Sequence, residues 1–345
     1  MICWPAMAQK ETELDIDSRR KTCAILRILA EEARPVGSTA LAAELQLLGI
    51  DLKQRMVRYY LQQMDKRGLT ENLGRAGRRI TQQGMAELEH AVAIDKVGFV
   101  SARVDDLAYR VSFDMVRRTG TVILNVSRIR ATDFGRARRV IEAVTSAELG
   151  MGDFVLVARG GEEISGQRVP RERVAIGTVC SVTLNGVLRA AGIPTRAVFG
   201  GLLEIRDRKP FRFIQIIHYE GTTVDPVEIF IKGKMTDVLR AAHTGQGTIG
   251  ASFREIPAAA LPAAERVIDK LNHLGMGGVL AVGRPGRPLL DIPVSLGRVG
   301  MVVAAGLNPL AAVEESDIET ENHAMSTLLE FSELMPASAL TVLAS

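Results

Sequence analysis

The 345-residue sequence predicts an α+β chain: an N-terminal winged helix-turn-helix followed by an α/β domain made of two duplicated half-domains. Three observations carry that assignment. Eight Lys and Arg residues stand against two acids between Lys53 and Ile80, in a chain whose net charge is only +3. Around that cluster, short helical patterns are followed by two strand patterns joined at a glycine-rich tip. Beyond residue 97, four segments recur in the same order.

Residues 1–18 are acidic and irregular and read as a flexible tail. A helical pattern begins at Arg19, with Cys23, Ile25, Leu26, Ile28, Leu29 and Ala30 on one broad apolar face. Pro35 and Gly37 break it. Ser38 suits the N-cap of a short second helix carrying Leu41, Ala42 and Leu45. In the third helix Met56, Val57, Tyr60, Leu61 and Met64 form the stripe expected to be buried, and Arg55, Arg58, Tyr59, Gln62 and Lys66 form the opposite one. "LTENLGRAGRRIT" then reads as a β-hairpin with Arg75, Arg78 and Arg79 near its tip, and "TQQGMAELEHAVA" as a closing helix. In such a unit, placed here at 19–96, the third helix enters the DNA major groove and the hairpin, or wing, touches phosphate. Arg and Gln suit base edges, and the three wing arginines suit backbone charge.

From 97 to 345 the composition turns to Val, Ile, Gly and Ala. "GTVILNVSRI" (120–129) resembles "GTIGASFREI" (247–256), and "RVIEAV" (139–144) resembles "RVIDKL" (266–271). "LGMGDFVLVARGG" (149–161) resembles "LGMGGVLAVGRPG" (274–286). "VPRERVAIGTVCSVTLNGVLRAA" (169–191) resembles "IPVSLGRVGMVVAAGLNPLAAVE" (292–314). The offset shrinks from 127 to 125 to 123, as small loop deletions would produce, so the repeats at 118–195 and 245–320 read as an internal duplication. Each copy alternates strands with helices. The stretch from Arg196 to Thr236 reads as a connecting β segment.

Composition excludes several classes. No apolar run approaches the ~18 residues of a membrane span. Three scattered cysteines, Cys3, Cys23 and Cys180, fit a reducing cytoplasm better than a disulfide framework. Neither a CxxC nor an HxxxH pair is present, and no metal or cofactor is expected. The start lacks a basic n-region and a long apolar core, so a secretory leader is not expected.

Within the duplicated part, the strand-to-helix turn of copy one holds Cys180, Ser181 and Thr183, followed by Asn185; copy two is blander, with Asn308 equivalent to Asn185. Both Asn residues read as N-caps, and a helix start offers free N–H groups to an anion. A cleft between the copies holding a small anionic ligand is the functional reading; capping and packing alone is the plain one. "GQGTIG" (245–250) matches a dinucleotide fingerprint but precedes a strand, so it is set aside. Cys180 has no His near it in sequence, which speaks against a nucleophile. His218 reads as a surface group at a strand end, and equivalent Arg159 and Arg284 fit either structure or anion binding. No paired-carboxylate motif stands out.

The basic helix and wing, with "TVCSVTLNGVLRAAGIP", "RKPFRFIQIIHYEGTTVDPVEIFI", "GTIGASFREIPAAAL", "VGRPGRPLLDIPV" and "VGMVVAAGLNPLAAVEE", resemble the nitrogen-regulation repressor family NrpR over nearly all the chain past about residue 19. The resemblance implies a winged-helix DNA-binding domain and a regulatory domain. It also implies a homo-oligomeric repressor, dimer or tetramer, that senses 2-oxoglutarate and loses operator affinity on binding it. The position that looks like the family's cleft cysteine is Cys180. Some members carry two regulatory domains, whereas this chain has one made of two half-repeats. The rival class is an α/β enzyme acting on a small carboxylate, with the winged helix as a docking unit.

Overall fold

The computed structural model describes residues 6–32, 34–90 and 99–344. The chain forms two compact units, dividing between Val97 and Gly98. Residues 1–5 of the expected tail, Cys3 among them, the end of the expected closing helix and the expected 96/97 boundary lie outside the described residues.

In the first unit, α1 runs over Ala6–Glu31, α2 over Ser38–Leu47 and α3 over Gln54–Lys66. Strands β1 (Thr70–Asn72) and β2 (Arg78–Ile80) pair antiparallel, and α4 (Gln82–His90) closes the unit. The core joins Ile25, Leu26 and Leu29 of α1, Leu41 and Leu45 of α2, and Val57, Leu61 and Met64 of α3, all of them buried. Two expectations are corrected. The first helix starts at Ala6, not Arg19: "AMAQKETELD" is acidic but built from strong helix formers, so its composition marks a helix as well as it marks a tail. Met56, assigned to the buried stripe, is 43% exposed, because the inward stripe of α3 follows the narrower spacing Val57–Leu61–Met64.

The second unit starts with α5 (Phe99–Arg110) and holds two five-stranded sheets. Copy one supplies β3 (Thr121–Arg130), α6 (Phe134–Ser146), β4 (Phe154–Ala158), the small hairpin β5 (Glu163–Ile164) and β6 (Gln167–Arg168), β7 (Arg173–Val179) and α7 (Val182–Ala190). Then come β8 (Arg196–Arg206), β9 (Lys209–His218), α8 (Pro226–Lys232) and α9 (Val238–Thr244). Copy two supplies β10 (Gly247–Pro257), α10 (Leu261–His273), β11 (Val279–Val282), β12 (Arg298–Ala304), α11 (Asn308–Glu315) and β13 (Glu321–Glu330), with β14 (Met335–Pro336) at the end.

The sheet orders are β13-β3-β7-β4-β14 and β11-β12-β10-β8-β9, with every pairing antiparallel. Helices alternate with strands as expected, but the pairing is antiparallel within each copy as well as between them, and each copy sends its last strand into the other copy's sheet. β8 follows α7 of copy one and pairs with β10; β13 follows α11 of copy two and pairs with β3. The stretch from Arg196 is therefore more than a connector, since β8 lies inside the second sheet. This exchange binds the halves into one core. α6 packs on α11 and α10 on α7, each against a helix of the other copy. Residues 182–188 of α7 and 308–313 of α11 are buried on all sides, as helices without a polar face must be.

Among the described residues no helix is long and apolar enough to cross a membrane.

Candidate functional site

On α3 the face opposite the core presents Arg55, Arg58, Tyr59 and Gln62 around one open depression, with Lys66 also exposed farther along. No acid interrupts this face. Arg58 Nε donates to Ser38 Oγ at the start of α2 (3.3 Å), a long, exposed bond that leaves the guanidinium available.

The wing is pinned beside α3. Val36 and Arg78 exchange two backbone hydrogen bonds of 2.9 Å, adding a bridge to the β1–β2 ribbon. That approach requires Gly77: its φ is 110°, and a Cβ there would lie 2.5 Å from the Val36 carbonyl. Arg75, in the turn Gly74–Ala76, is exposed; Arg79 is exposed too and pairs with Glu71 across the ribbon at 2.8 Å. Arg78 corrects the sequence reading. Its Nε lies 2.9 Å from Asp65 Oδ2 in a pair whose side chains are only 15% and 23% exposed. Asp65 also accepts from Thr70 Oγ1 at 2.6 Å. Alternation along β2 turns Arg78 toward the helix and Arg79 toward solvent, so Arg78 fastens the wing to α3. Arg78→Ala should cost roughly 1–3 kcal/mol of stability and leave the salt dependence of DNA binding nearly unchanged. Arg75→Ala and Arg79→Ala should each flatten its log–log slope by about 0.9. Thermal unfolding and salt-titrated binding check both.

In the second unit the two strand-to-helix turns face each other. Gly306 of copy two lies so close to the end of β7 that a Cβ would meet the Val179 carbonyl oxygen at 2.0 Å. Beside that contact is a small cavity. Cys180, Ser181 and Val182 line it from one turn, and Ala305, Gly306 and Leu307 from the other. Asn125, Ser252, Tyr219, Asp225 and Met325 complete the polar side and the rim.

The expected effector residues divide. Cys180 and Ser181 line the cavity and are buried. Thr183 does not line it: its Oγ1 accepts from the Ile123 N–H at 3.0 Å. Asn308 is likewise occupied, accepting from the Gly250 N–H (2.9 Å) and donating to the carbonyls of Leu149 (2.7 Å) and Gly250 (2.9 Å). Asn185 lies inside α7, buried, with Oδ1 unpartnered and outside the lining. Neither Asn is an N-cap, because the cap positions fall earlier, at Ser181 and Leu307. α7 starts three residues ahead of Asn185, and α11 starts at Asn308 itself, one residue after its cap.

Electrostatics set the cavity apart. Burial pushes the Cys180 thiol up to about 11, so it is a neutral thiol at neutral pH, not a ready nucleophile. Burial also raises Tyr219. Asp225, the N-cap of α8 whose carboxylate accepts from the Val227 N–H at 2.9 Å, is pushed up to about 6 by burial. Glu228, which accepts from the Ala324 N–H, is raised to about 7 by burial and by Asp225. Both folded values lie above the unfolded ones, so these carboxyls favour the fold at acid pH and lose that contribution as pH rises through about 6 to 7. Asp225→Asn keeps a capping side chain and removes the titration. Its melting temperature relative to wild type should therefore climb between pH 5 and pH 8; a constant difference would contradict the burial account.

Against this geometry, comparison with known proteins is informative. The profile described as "NrpR regulatory domains NRD1 and 2" matches residues 97–336. The global nitrogen regulator NrpRI of Methanosarcina mazei is 35% identical over 92% of this chain and 98% of its own length.

The chain belongs to the NrpR family.

A "Ribonuclease R winged-helix domain" profile matches residues 23–88. The global nitrogen regulator NrpR of Methanocaldococcus jannaschii is 31% identical over 92% of the chain, which spans 55% of that relative's length. The NrpR of Methanococcus maripaludis is 29% identical over 90%, again with about half of that relative (54%) spanned. The crystal structure of a nitrogen repressor-like protein from Methanococcus jannaschii superposes with a TM-score of 0.59 at 31% identity, covering 69% of this chain and 97% of that one.

Sequence reasoning about this NrpR chain missed Arg254. It lies in β10, 1% exposed, and donates from Nη1 to the Ser181 carbonyl (2.6 Å) and from Nη2 to Ser181 Oγ (2.8 Å). The available signal was an arginine in a Gly/Ala/Ser-rich strand flanked by apolar residues. Tyr219, Ser252 and Asp225 were missed as well, because they come from the segment between the repeats or from the far copy and share no motif with the turn.

Proposed function

We propose that this protein is a DNA-binding transcriptional repressor of nitrogen-assimilation genes, released from its operator by a small anionic effector, 2-oxoglutarate, bound at the cavity between the two copies. One observation carries the DNA part: an exposed, acid-free face on α3 built from Arg55, Arg58, Tyr59, Gln62 and Lys66, beside a wing with Arg75 and Arg79 outward. That is the donor set a major-groove helix uses, with phosphate charge to its side. The names of the M. mazei, M. jannaschii and M. maripaludis relatives support nitrogen regulation.

The effector part rests on the family resemblance and on a cavity with Ser181 at a helix start and Cys180 beside it. The protein acts as a homo-oligomer, a dimer or tetramer, as the family resemblance implies, an arrangement that lets paired winged helices read two half-sites. The regulatory reading is preferred to the enzyme one, since the cavity's buried Cys180 thiol is protonated at neutral pH and is not a ready nucleophile. Genome-wide mapping of bound DNA in ammonia-rich and ammonia-poor cells tests the reading. Occupancy upstream of ammonia-assimilation genes, lost when 2-oxoglutarate accumulates, is expected; occupancy indifferent to nitrogen supply would contradict it.

A further inference from the structure

We infer that Arg103 is the positioning residue that couples the cavity to DNA binding: its guanidinium ties α5, the first helix of the second unit, to a strained stretch of cavity wall at Met325. This rests on the proposed effector reading and adds to it the route by which a filled cavity acts on operator affinity.

The wall in question is an irregular stretch of β13. His323 pairs with Val126 and Thr327 with Leu124, so Ala324, Met325 and Ser326 together stand opposite Asn125 alone. Ala324, Met325 and Asn125 all line the cavity. Met325 sits in the left-handed region at φ 50°, a conformation that costs a residue with a Cβ free energy and persists only where its surroundings impose it. Side chains, not the β ladder, impose it here. The Met325 N–H donates to Asn125 Oδ1 at 3.1 Å, and the Ala324 N–H donates to the Glu228 carboxylate of α8. Arg103 of α5 holds the carbonyl side. Its Nε and Nη2 donate to the Met325 carbonyl at 3.0 and 2.6 Å, and Nη2 also reaches the Ser326 carbonyl at 3.3 Å. Bonds from a charged guanidinium are stronger than those between neutral groups.

α5 meets the cavity wall twice. Toward its end, Arg189 of α7 donates to the carbonyls of Tyr109 (2.7 Å) and Ala108 (3.4 Å). There the two helices touch so closely that a Cβ on Gly186 would lie 2.8 Å from the Ala108 carbonyl oxygen. Toward its start, Arg103 fastens α5 to the Met325 stretch, and the adjacent Val104 lines the cavity itself. The start of α5 is also where the chain arrives from the DNA-binding unit. A ligand that shifts Met325, or lets its backbone leave the left-handed region, opens the Arg103 clamp and frees that end of the helix. Coupling between sites needs such an element with two discrete arrangements.

The exchange of strands does not require this irregularity. β8 is the counterpart of β13, yet it skips one residue, Val198, against β10, and none of its residues has a positive φ.

The test is operator affinity of the full chain by anisotropy, with and without saturating 2-oxoglutarate, beside calorimetry of 2-oxoglutarate binding, for wild type, Arg103→Ala and Arg103→Lys. Wild type should lose operator affinity roughly 5–150-fold on adding the effector, the usual range for coupled sites. Arg103→Ala should bind operator alone and effector alone within about 3-fold of wild type, yet the effector should weaken its operator binding less than about 2-fold. Arg103→Lys keeps the charge but not the fork and should restore part of the coupling. Amide exchange reads the helix directly: the effector should speed it at the start of α5 in wild type and leave it unchanged in Arg103→Ala. Release of Arg103→Ala as strong as that of wild type overturns the clamp and leaves the effector reading standing. A parallel loss of effector affinity in Arg103→Ala makes Arg103 part of the binding site and overturns the inference too. No release of wild type overturns clamp and effector reading together. If neither variant folds, Arg103 is a structural staple and the inference fails.

Discussion

Arg58→Ala combined with Gln62→Ala should lower affinity for the operator about 100-fold or more, while affinity for random duplex falls only a few-fold. Both side chains are exposed on the face of α3 that turns away from Val57, Leu61 and Met64. A well-formed contact from Arg to guanine or from Gln to adenine contributes about 1–3 kcal/mol of discrimination, so losing two reaches about 2–6 kcal/mol. Random DNA offers neither contact its matched edge and loses only one phosphate-type charge, a change of about 0.9 in salt slope. The fold should survive, because among the described residues the side-chain bond given up is the long, exposed one from Arg58 to Ser38. Anisotropy titrations of both duplexes at several salt concentrations measure this. Equal losses on the two would remove α3 from the groove.

Cys180→Leu should abolish the effector response. The thiol is 5% exposed and lines a cavity already narrowed by the Gly306 turn. Leu adds two carbons to the wall of a cavity whose free room is only about 20 Å³, so the ligand's dissociation constant should rise at least about 100-fold, against a packing cost of about 1–3 kcal/mol. Cys180→Ser, similar in size, should retain binding. Calorimetry with 2-oxoglutarate checks the pair of variants; a Leu variant that binds as wild type does would move the site elsewhere.

The legible parts of this molecule are those where one residue pattern has one physical solution. The amphipathic spacing of α3 and the Gly-tipped wing follow from local sequence, and the four matched segments reveal the duplication. What stayed hidden depends on partners distant in sequence. Arg78 and Arg79 look alike on paper, and only Asp65, thirteen residues upstream, draws one of them inward. Thr183 and Asn308 look available until Ile123, Leu149 and Gly250 arrive from other strands. The exchange of β8 and β13 was not read because "RAVFGGLLEIR" and "ENHAMSTLLE" share only a short Leu-Leu-Glu match, and nothing in it says that each strand joins the other copy's sheet. Arg254 was passed over because an arginine in a strand ordinarily faces water, and nothing local says that this strand is covered on both sides.

The central claim is that one chain holds operator DNA and releases it when a small carboxylate fills the cavity. Its most direct measurement is anisotropy of a labelled operator duplex bound to the full chain, titrated with 2-oxoglutarate at constant ionic strength, with glutarate, which lacks the keto group, as comparison. The account predicts a saturable release by 2-oxoglutarate that is lost in Cys180→Leu. Release that follows ionic strength alone, or that is identical in Cys180→Leu, would contradict it.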